Sequence, residues 1–167
     1  MANVIGFGVI ALTYIGIGLV VVAGSVHLSQ SICSPLNEQR FYALILIPVA
    51  AFYWACMAYF ETTSAFALES YAIAVFIVLA LIGLKYFWVL FSGYLLHGLW
   101  DGIHEVVAHA DFAGTAESSF VAEWTNLTSL PLAYGIFCAT YDIGIAVYFL
   151  KRRAIWRDAR TAMKSNG

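Results

Sequence analysis

Five long apolar stretches run along this chain, separated by more polar segments, of which the one at 109–129 is long. They predict helices at about 4–27, 40–60, 67–84, 86–108 and 130–150. Each has about the 20 residues that cross a hydrocarbon core roughly 30 Å thick. The apolar run over 70–100 is too long for one span, so we place a tight turn at Lys85. Pro48 predicts a kink in the second helix, and Ser129 with Pro131 predicts the capped start of the fifth.

The composition indicates that these helices lie in a membrane. Of the 167 residues, 62% are hydrophobic and 11% are charged, whereas a soluble domain is about one-quarter charged. We therefore predict an all-α integral membrane bundle of five transmembrane helices over 1–150, followed by a basic cytoplasmic tail at 151–167. The expected location is the cell membrane, as a multi-pass protein of a bacterial inner membrane.

The lysines and arginines predict the orientation of the bundle. If the N-terminus is outside, Arg40 and Lys85 fall in the two cytoplasmic loops and the other six cations fall in the C-terminal tail. All eight then lie inside, as the positive-inside rule requires. The outer loops contain carboxylates and no lysine or arginine. The sequence thus predicts an external N-terminus and a cytoplasmic C-terminus.

The fourth helix holds the candidate functional site. At about 100° per residue, one stripe of its surface collects polar side chains. These are His97, Asp101 and His104, with Glu105 at the margin. An aspartate at the centre of a membrane helix costs roughly 2.5–3.5 kcal/mol on insertion scales, so the stripe should face protein. Tyr94 and Trp100 border it and are the aromatic candidates for a ligand pocket.

Helix depth predicts a partner for this stripe on the fifth helix. Counting from Lys85, a rise of about 1.5 Å per residue puts His97 about 18 Å above the cytoplasmic side. The same count back from Lys151 puts Asp142 at about 14 Å, within about one turn of His97. We therefore predict that Asp142 and His97 pair. No polar residue that would continue a path is evident below Asp142.

Other ionisable residues fall at different depths. Glu61 and Glu69, at the outer ends of the second and third helices, could reach His104 and Glu105. His27 falls at the cytoplasmic end of the first helix, too far from His104 to share a metal ion with it. The three cysteines, at 33, 56 and 138, give no disulfide pattern and are expected to be small buried hydrophobes. The outer loop at 109–129 could act as a lid.

These residue types suit several kinds of chemistry. Two histidines and a carboxylate are suitable ligands for zinc or non-haem iron. The predicted ligands are His97, Asp101 and His104. Asp142 would be a fourth or outer ligand. Without a metal, His97, Asp101, Asp142 and Glu105 could be catalytic acids and bases or a proton relay. The structural alternative is a hydrogen-bonded cluster that only fixes helix packing.

Three hypotheses for function follow. The first is a membrane-embedded enzyme with an intramembrane His/Asp site, most simply a metal site, that acts on a lipophilic substrate. The second is a small transporter or channel for protons or a divalent metal that uses the same residues. The third is a structural or cofactor-anchoring subunit of a larger membrane complex. A deep apolar pocket beside the stripe would favour the enzyme, and a polar path to both faces would favour the transporter.

The expected partners are the lipid bilayer and a lipophilic small molecule, with no nucleic acid. Glycines crowd the first helix, and small residues let helices approach closely in lipid. They are Gly6, Gly8, Gly16, Gly18 and Gly24. They predict either tight packing within the chain or the interface of a homo-oligomer.

Three features resemble a bacterial multi-spanning membrane family of unknown function. They are Arg40-Phe41, the block Gly-Tyr-Leu-Leu-His-x-x-Trp-Asp-x-x-His at 93–104, and the helix that carries Asp142. The likeness runs over about 36–150. At the position of Glu105 that family often has a histidine, and it supplies no activity.

A second resemblance is to the sterol-isomerase and sigma-two-receptor superfamily, whose members have four or five spans and a helix with His-x-x-x-Glu-Gly. His97-x-x-x-Asp101-Gly102 is similar. This resemblance implies that acidic residues and a histidine move a proton on a sterol-like ligand.

Overall fold

Five long helices make up most of the part of the chain that the structure describes. The structure is a computed structural model and describes residues 2–108, 127–128 and 130–165. The helices are α1 (Ala2–Ile32), α2 (Pro35–Phe60), α3 (Phe66–Gly83), α4 (Phe87–Ala108) and α5 (Tyr134–Ser165). A short 3₁₀ turn, Thr63–Ala65, precedes α3. The predicted all-α class is confirmed, and these residues contain no strand.

The turn predicted at Lys85 is present. α3 ends at Gly83 and α4 begins at Phe87. α2 begins earlier than predicted, because Ser34 has an extended backbone and Pro35 occupies the first turn. Proline is favoured there, since its missing N–H has no helical partner at that position in any case.

The fifth helix departs most from the prediction. It begins at Tyr134, after Ala133 adopts a left-handed conformation with φ 61°. It then continues without a break to Ser165, through most of the segment predicted as a tail. The extension packs on the bundle, since Trp156 within it is only 1% exposed. This packing stabilises the segment as a helix. Ser129, the predicted cap, lies outside the described residues.

Small residues bring α4 and α5 close together. α4 packs chiefly against α5, α2 against α3, and α1 against α5. A Cβ atom on Gly98 would lie 3.2 Å from Asp142 Cβ, and one on Gly135 would lie 2.5 Å from the carbonyl oxygen of Asp101. The candidate site is therefore built where the two helix backbones approach each other closely.

The glycines of α1 do not all act in this way. A Cβ atom on Gly18 would lie 3.0 Å from Thr140 of α5, so tight internal packing holds at this position. The other four predicted positions have nothing within 4 Å among the described residues. They are Gly6, Gly8, Gly16 and Gly24. A homo-oligomer interface at these glycines stays a prediction.

The polar and apolar side chains are distributed as in a bundle surrounded by lipid. Large apolar residues are exposed, for example Leu12 (70%), Val20 (71%) and Leu99 (60%), whereas seven carboxylates and histidines are at most 4% exposed. Three of the described segments are long and apolar enough to cross a membrane. They are Ile5–Ile32, Pro35–Phe60 and Thr63–Gly83. α4 and α5 are not among these three segments, because the polar and ionisable residues of the candidate site lower their hydropathy.

Candidate functional site

A histidine of α4 lies between two aspartates inside the bundle. His97 Nδ1 is 2.7 Å from Asp142 Oδ2 on α5. It is also 3.2 Å from Asp101 Oδ2, one turn further along α4. Each of the three residues is at most 2% exposed. The contact that helix depth predicted between His97 and Asp142 is therefore direct.

Aromatic side chains from two more helices hold this group in place. The hydroxyl of Tyr53, on α2, donates a hydrogen bond to Asp101 Oδ1 at 2.5 Å. The ring of Phe76, on α3, packs edge-on against His97 with ring centroids 4.7 Å apart. Helices α2 to α5 thus all contribute, which fixes the side-chain positions before any ligand binds.

This group has more hydrogen-bond acceptors than donors. Within the described residues, three of its buried atoms have no hydrogen-bond partner. They are His97 Nε2, Asp101 Oδ2 and Asp142 Oδ1. Two ionised carboxylates beside one ring N–H leave excess negative charge in surroundings that solvate it poorly, so a cation or an additional proton is needed there. One ligand atom from each of the three residues lies within 4.8 Å of the others. The group could therefore hold a metal ion.

A cavity of about 340 Å³ adjoins the three side chains. The rest of its wall is mostly apolar or aromatic. It includes Pro48, Val49 and Phe52 of α2 and Tyr134, Phe137 and Tyr141 of α5. Phe52 and Val21, which also line it, are 47% and 38% exposed, so the cavity reaches the apolar surface of the bundle. Its volume lies at the small end of the range for ligand pockets, about 300–1,000 Å³.

His104 belongs to a second polar cluster. Its Nε2 is 2.7 Å from Glu69 Oε1 on α3, and its Nδ1 is 2.9 Å from the carbonyl oxygen of Trp100. The structure does not bring His104 to the His97 group, and Asp142 completes that group in its place. The physical reason is that the polar stripe of α4 meets two different neighbours. α5 provides the carboxylate beside His97, and α3 provides the one beside His104.

The two other predicted carboxylates have different roles. Glu105 accepts hydrogen bonds from the backbone N–H groups of Ala133 at 2.8 Å and Gly135 at 3.0 Å. It therefore satisfies donors at the start of α5 that lack helical partners, and it does not line the cavity. Glu61 is exposed and ends α2 with φ 54°. Of the two outer glutamates, Glu69 is the one that reaches His104.

The two aromatic candidates for the pocket do not line the cavity. Tyr94 is fully buried, and its hydroxyl donates to the carbonyl oxygen of Tyr42 at 2.9 Å. Trp100 packs edge-on against His104, with ring centroids 5.2 Å apart. Two aromatic residues that the sequence did not single out contact the site instead, namely Tyr53 through its hydroxyl and Phe76 through its ring. Cys56 and Cys138 are free thiols and also line the cavity.

A buried carboxylate that the sequence did not single out joins three helices. Glu38 of α2 is fully buried and accepts hydrogen bonds from α5. Its donors are Arg152 Nε and Trp156 Nε1, each at 2.9 Å, and the hydroxyl of Tyr148. Ser29 of α1 completes the cluster at 3.4 Å. The sequence prediction missed it because it began α2 at residue 40 and left Glu38 in a loop.

Polar groups do lie between the site and this cluster, where none was expected below Asp142 from the sequence, but no hydrogen bond among these described groups joins them to the His97 group. Tyr94 donates to the backbone of Tyr42. The hydroxyl of Tyr42 lies 2.9 Å from that of Ser29, and Ser29 contacts Glu38. These tyrosines and serines are visible in the sequence. That they face one another is known only once the helices are packed together. His27 is exposed on α1, and most of the predicted lid at 109–129 lies outside the described residues.

Comparison with protein-family models, with curated proteins and with solved structures finds no match to this chain.

Proposed function

We propose that this protein is a membrane-embedded enzyme that acts on a lipophilic substrate held in the cavity beside His97, Asp101 and Asp142. The observation that carries the proposal is the juxtaposition of an apolar cavity of about 340 Å³ with a polar wall made of these three residues. The cavity was the feature expected to favour an enzyme over a purely structural cluster. A cluster that only fixed packing would not need an adjoining cavity.

In this proposal the three residues hold one divalent metal ion, zinc or iron. An imidazole with carboxylates is a ligand set that either metal accepts. The ion would offset the negative charge that two ionised carboxylates beside a neutral imidazole would leave unpaired. It would supply Lewis-acid chemistry on a polar group of the substrate. Tyr53 and Phe76 would keep the ligands in position, as outer contacts of a metal site generally do.

The bundle is proposed to span the membrane with its N-terminus outside, since this orientation places all eight cations on the cytoplasmic side. Substrate would then reach the cavity from the bilayer between α2 and α5. The half-exposed side chain of Phe52 at the surface supports this route. An entry through lipid suits a substrate that partitions into the membrane.

The test is untargeted product detection. Protein in nanodiscs is incubated with a bacterial membrane lipid extract, and the extract is compared before and after by mass spectrometry. We expect the wild-type protein to deplete at least one lipophilic species and form a product, and His97→Gln to form none. The matched control is His27→Gln, because His27 is exposed on α1. Identical extracts from wild type and His97→Gln would count against the enzyme.

A proton transporter is the second candidate, favoured by the buried polar groups that lie on both sides of the site. Glu69 and His104 lie on one side, and Tyr42, Ser29 and Glu38 lie on the other. Proteoliposomes with an internal pH dye separate the two functions. For an enzyme, wild-type and His97→Gln vesicles should lose an imposed pH gradient at the same rate. A faster loss with wild type would favour the transporter.

A further inference from the structure

Three arginines lie on one face of α5, in the segment that follows residue 150. Arg153, Arg157 and Arg160 follow one another at spacings of four and then three residues, which place side chains on the same side of a helix. Arg153 and Arg157 are exposed, and Arg160 is partly buried. The neighbouring Arg152 is different, because its guanidinium pairs with Glu38 inside the bundle at 2.9 Å. The face therefore presents three cations that do not belong to the Glu38 cluster.

Two of these arginines are held against the turn between α3 and α4. The guanidinium carbon of Arg153 lies 4.5 Å from the ring centroid of Trp88, in the first turn of α4. Arg160 donates from Nη1 to the carbonyl oxygen of Lys85 at 3.1 Å and from Nε to that of Trp156 at 3.3 Å. These contacts fix where both guanidinium groups lie, so less side-chain freedom is lost when a ligand binds.

Many N–H groups of these arginines can still donate to a ligand. A guanidinium has five N–H donors in a planar fork. Among the described residues, Arg153 has ring contacts but no hydrogen bond or ion pair, and Arg160 uses two donors. Arg157 pairs with Asp158 at 3.3 Å, but these side chains are 69% and 71% exposed, so the ion pair contributes little and can exchange. Lys85 is exposed on the turn and adds an ammonium group. Such donors suit a phosphate, whose oxygens accept several charge-assisted hydrogen bonds.

The aromatic residues of this turn indicate the depth at which the arginines lie. Tyr86 is 63% exposed and Trp88 is 51% exposed. Amphipathic rings of this kind are enriched where a membrane meets water. In the proposed orientation this turn faces the cytoplasm, so the guanidinium over Trp88 lies at the level of the inner headgroups. The cytoplasmic leaflet carries anionic lipids, and their charge complements that of the arginine face.

We propose that this face binds the phosphate group of an anionic phospholipid in the cytoplasmic leaflet. The four cations that bind it are Lys85, Arg153, Arg157 and Arg160. Basic groups on this side of membrane proteins are known to bind anionic headgroups. The bound lipid would link the extension of α5 to the α3–α4 turn, beside the contact that Arg160 already makes. The proposal rests on the proposed orientation of the bundle and is independent of the proposed enzymatic activity.

The experiment measures which lipids stay bound when the protein is released from nanodiscs in a mass spectrometer. The nanodiscs contain equal amounts of phosphatidylglycerol and phosphatidylcholine with the same acyl chains, so the two lipids differ in headgroup charge. We expect the wild-type protein to retain phosphatidylglycerol in preference. We expect Arg153→Gln with Arg160→Gln to lower this preference by about tenfold or more, because two cations near an anionic surface contribute this much together.

The matched control is Arg40→Gln with Lys151→Gln, which removes the same charge from the same end of the bundle. Arg40 is exposed on α2, two residues after Glu38. Lys151 is also exposed, and its position two residues before Arg153 places it on another side of α5. We expect this control to keep the wild-type lipid preference.

Two outcomes would overturn the proposal. One is a wild-type protein without preference for phosphatidylglycerol, and the other is an equal loss of preference in both double variants. If the wild type lacks the lipid preference but binds polyglutamate through Arg153 and Arg160, the face belongs to a protein partner instead. Lys85→Gln is a further variant, which keeps the carbonyl that Arg160 contacts and should lower the preference about fivefold if the double variant does not fold. No reaction takes place in this measurement, so a failed search for an enzymatic product leaves its result standing.

Discussion

Asp142→Asn is expected to lower the affinity of the protein for zinc or iron by at least about 100-fold, because removing even an outer contact of a metal site costs 10–100-fold. Asparagine keeps the size of the side chain but removes a charge and the stronger of its ligand atoms. The wild-type protein, purified without chelator, should contain about one ion per chain, as a site with these ligands would. Elemental analysis of the purified variants measures this content directly.

The matched control is Asp158→Asn, since Asp158 lies on the same helix and its side chain is 71% exposed. This control should keep the metal. His104→Gln should also keep it, because His104 pairs with Glu69 and not with the His97 group. If wild-type protein contains no metal and is still active, the metal proposal is wrong. The short contact between His97 Nδ1 and Asp142 Oδ2, 2.7 Å, would then support an acid–base enzyme in which the aspartate orients the imidazole.

Glu38→Ala should destabilise the protein by about 1–3 kcal/mol, the usual cost of leaving a buried donor without its hydrogen-bond partner. The substitution leaves Arg152 without its carboxylate and the buried indole N–H of Trp156 without an acceptor. The hydrogen bond from Arg152 to Glu38 raises the pKa of the guanidinium further above its usual range, so the arginine stays charged. Thermal and denaturant unfolding in detergent measures the loss.

Glu61→Ala is the control for this prediction, because Glu61 is exposed. Exposed substitutions usually change stability by less than about 0.5 kcal/mol. We expect Glu38→Gln to fall between the two, since it keeps an acceptor oxygen but loses the charge. A Glu38→Ala protein as stable as the control would show that α5 does not depend on this cluster. The extension at 151–165 would then be held by its other contacts, such as the hydrogen bond from Arg160 to the carbonyl oxygen of Lys85.

The sequence by itself determined the fold class and most of the candidate group. Runs of about 20 apolar residues can only be helices in a bilayer, since helices satisfy every backbone hydrogen bond within one segment. Helical periodicity placed His97 and Asp101 on one face, and helix rise placed Asp142 at nearly the same depth. Periodicity and rise per residue are the same at every position of a regular helix. The face and depth of a residue can therefore be counted along the chain.

The tertiary structure decided which neighbour each polar residue meets. His104 shares the stripe of His97, yet it pairs with Glu69, because α3 rather than α5 lies beside it. Tyr53 became a contact of the site and Tyr94 did not, since the rotation of α2 and α4 against each other is set by packing. Glu38 meets Arg152 and Trp156 only because residues 151–165 continue α5 as a helix that packs on the bundle. Such pairings depend on the distances between helices, and the periodicity of a single helix does not specify these distances.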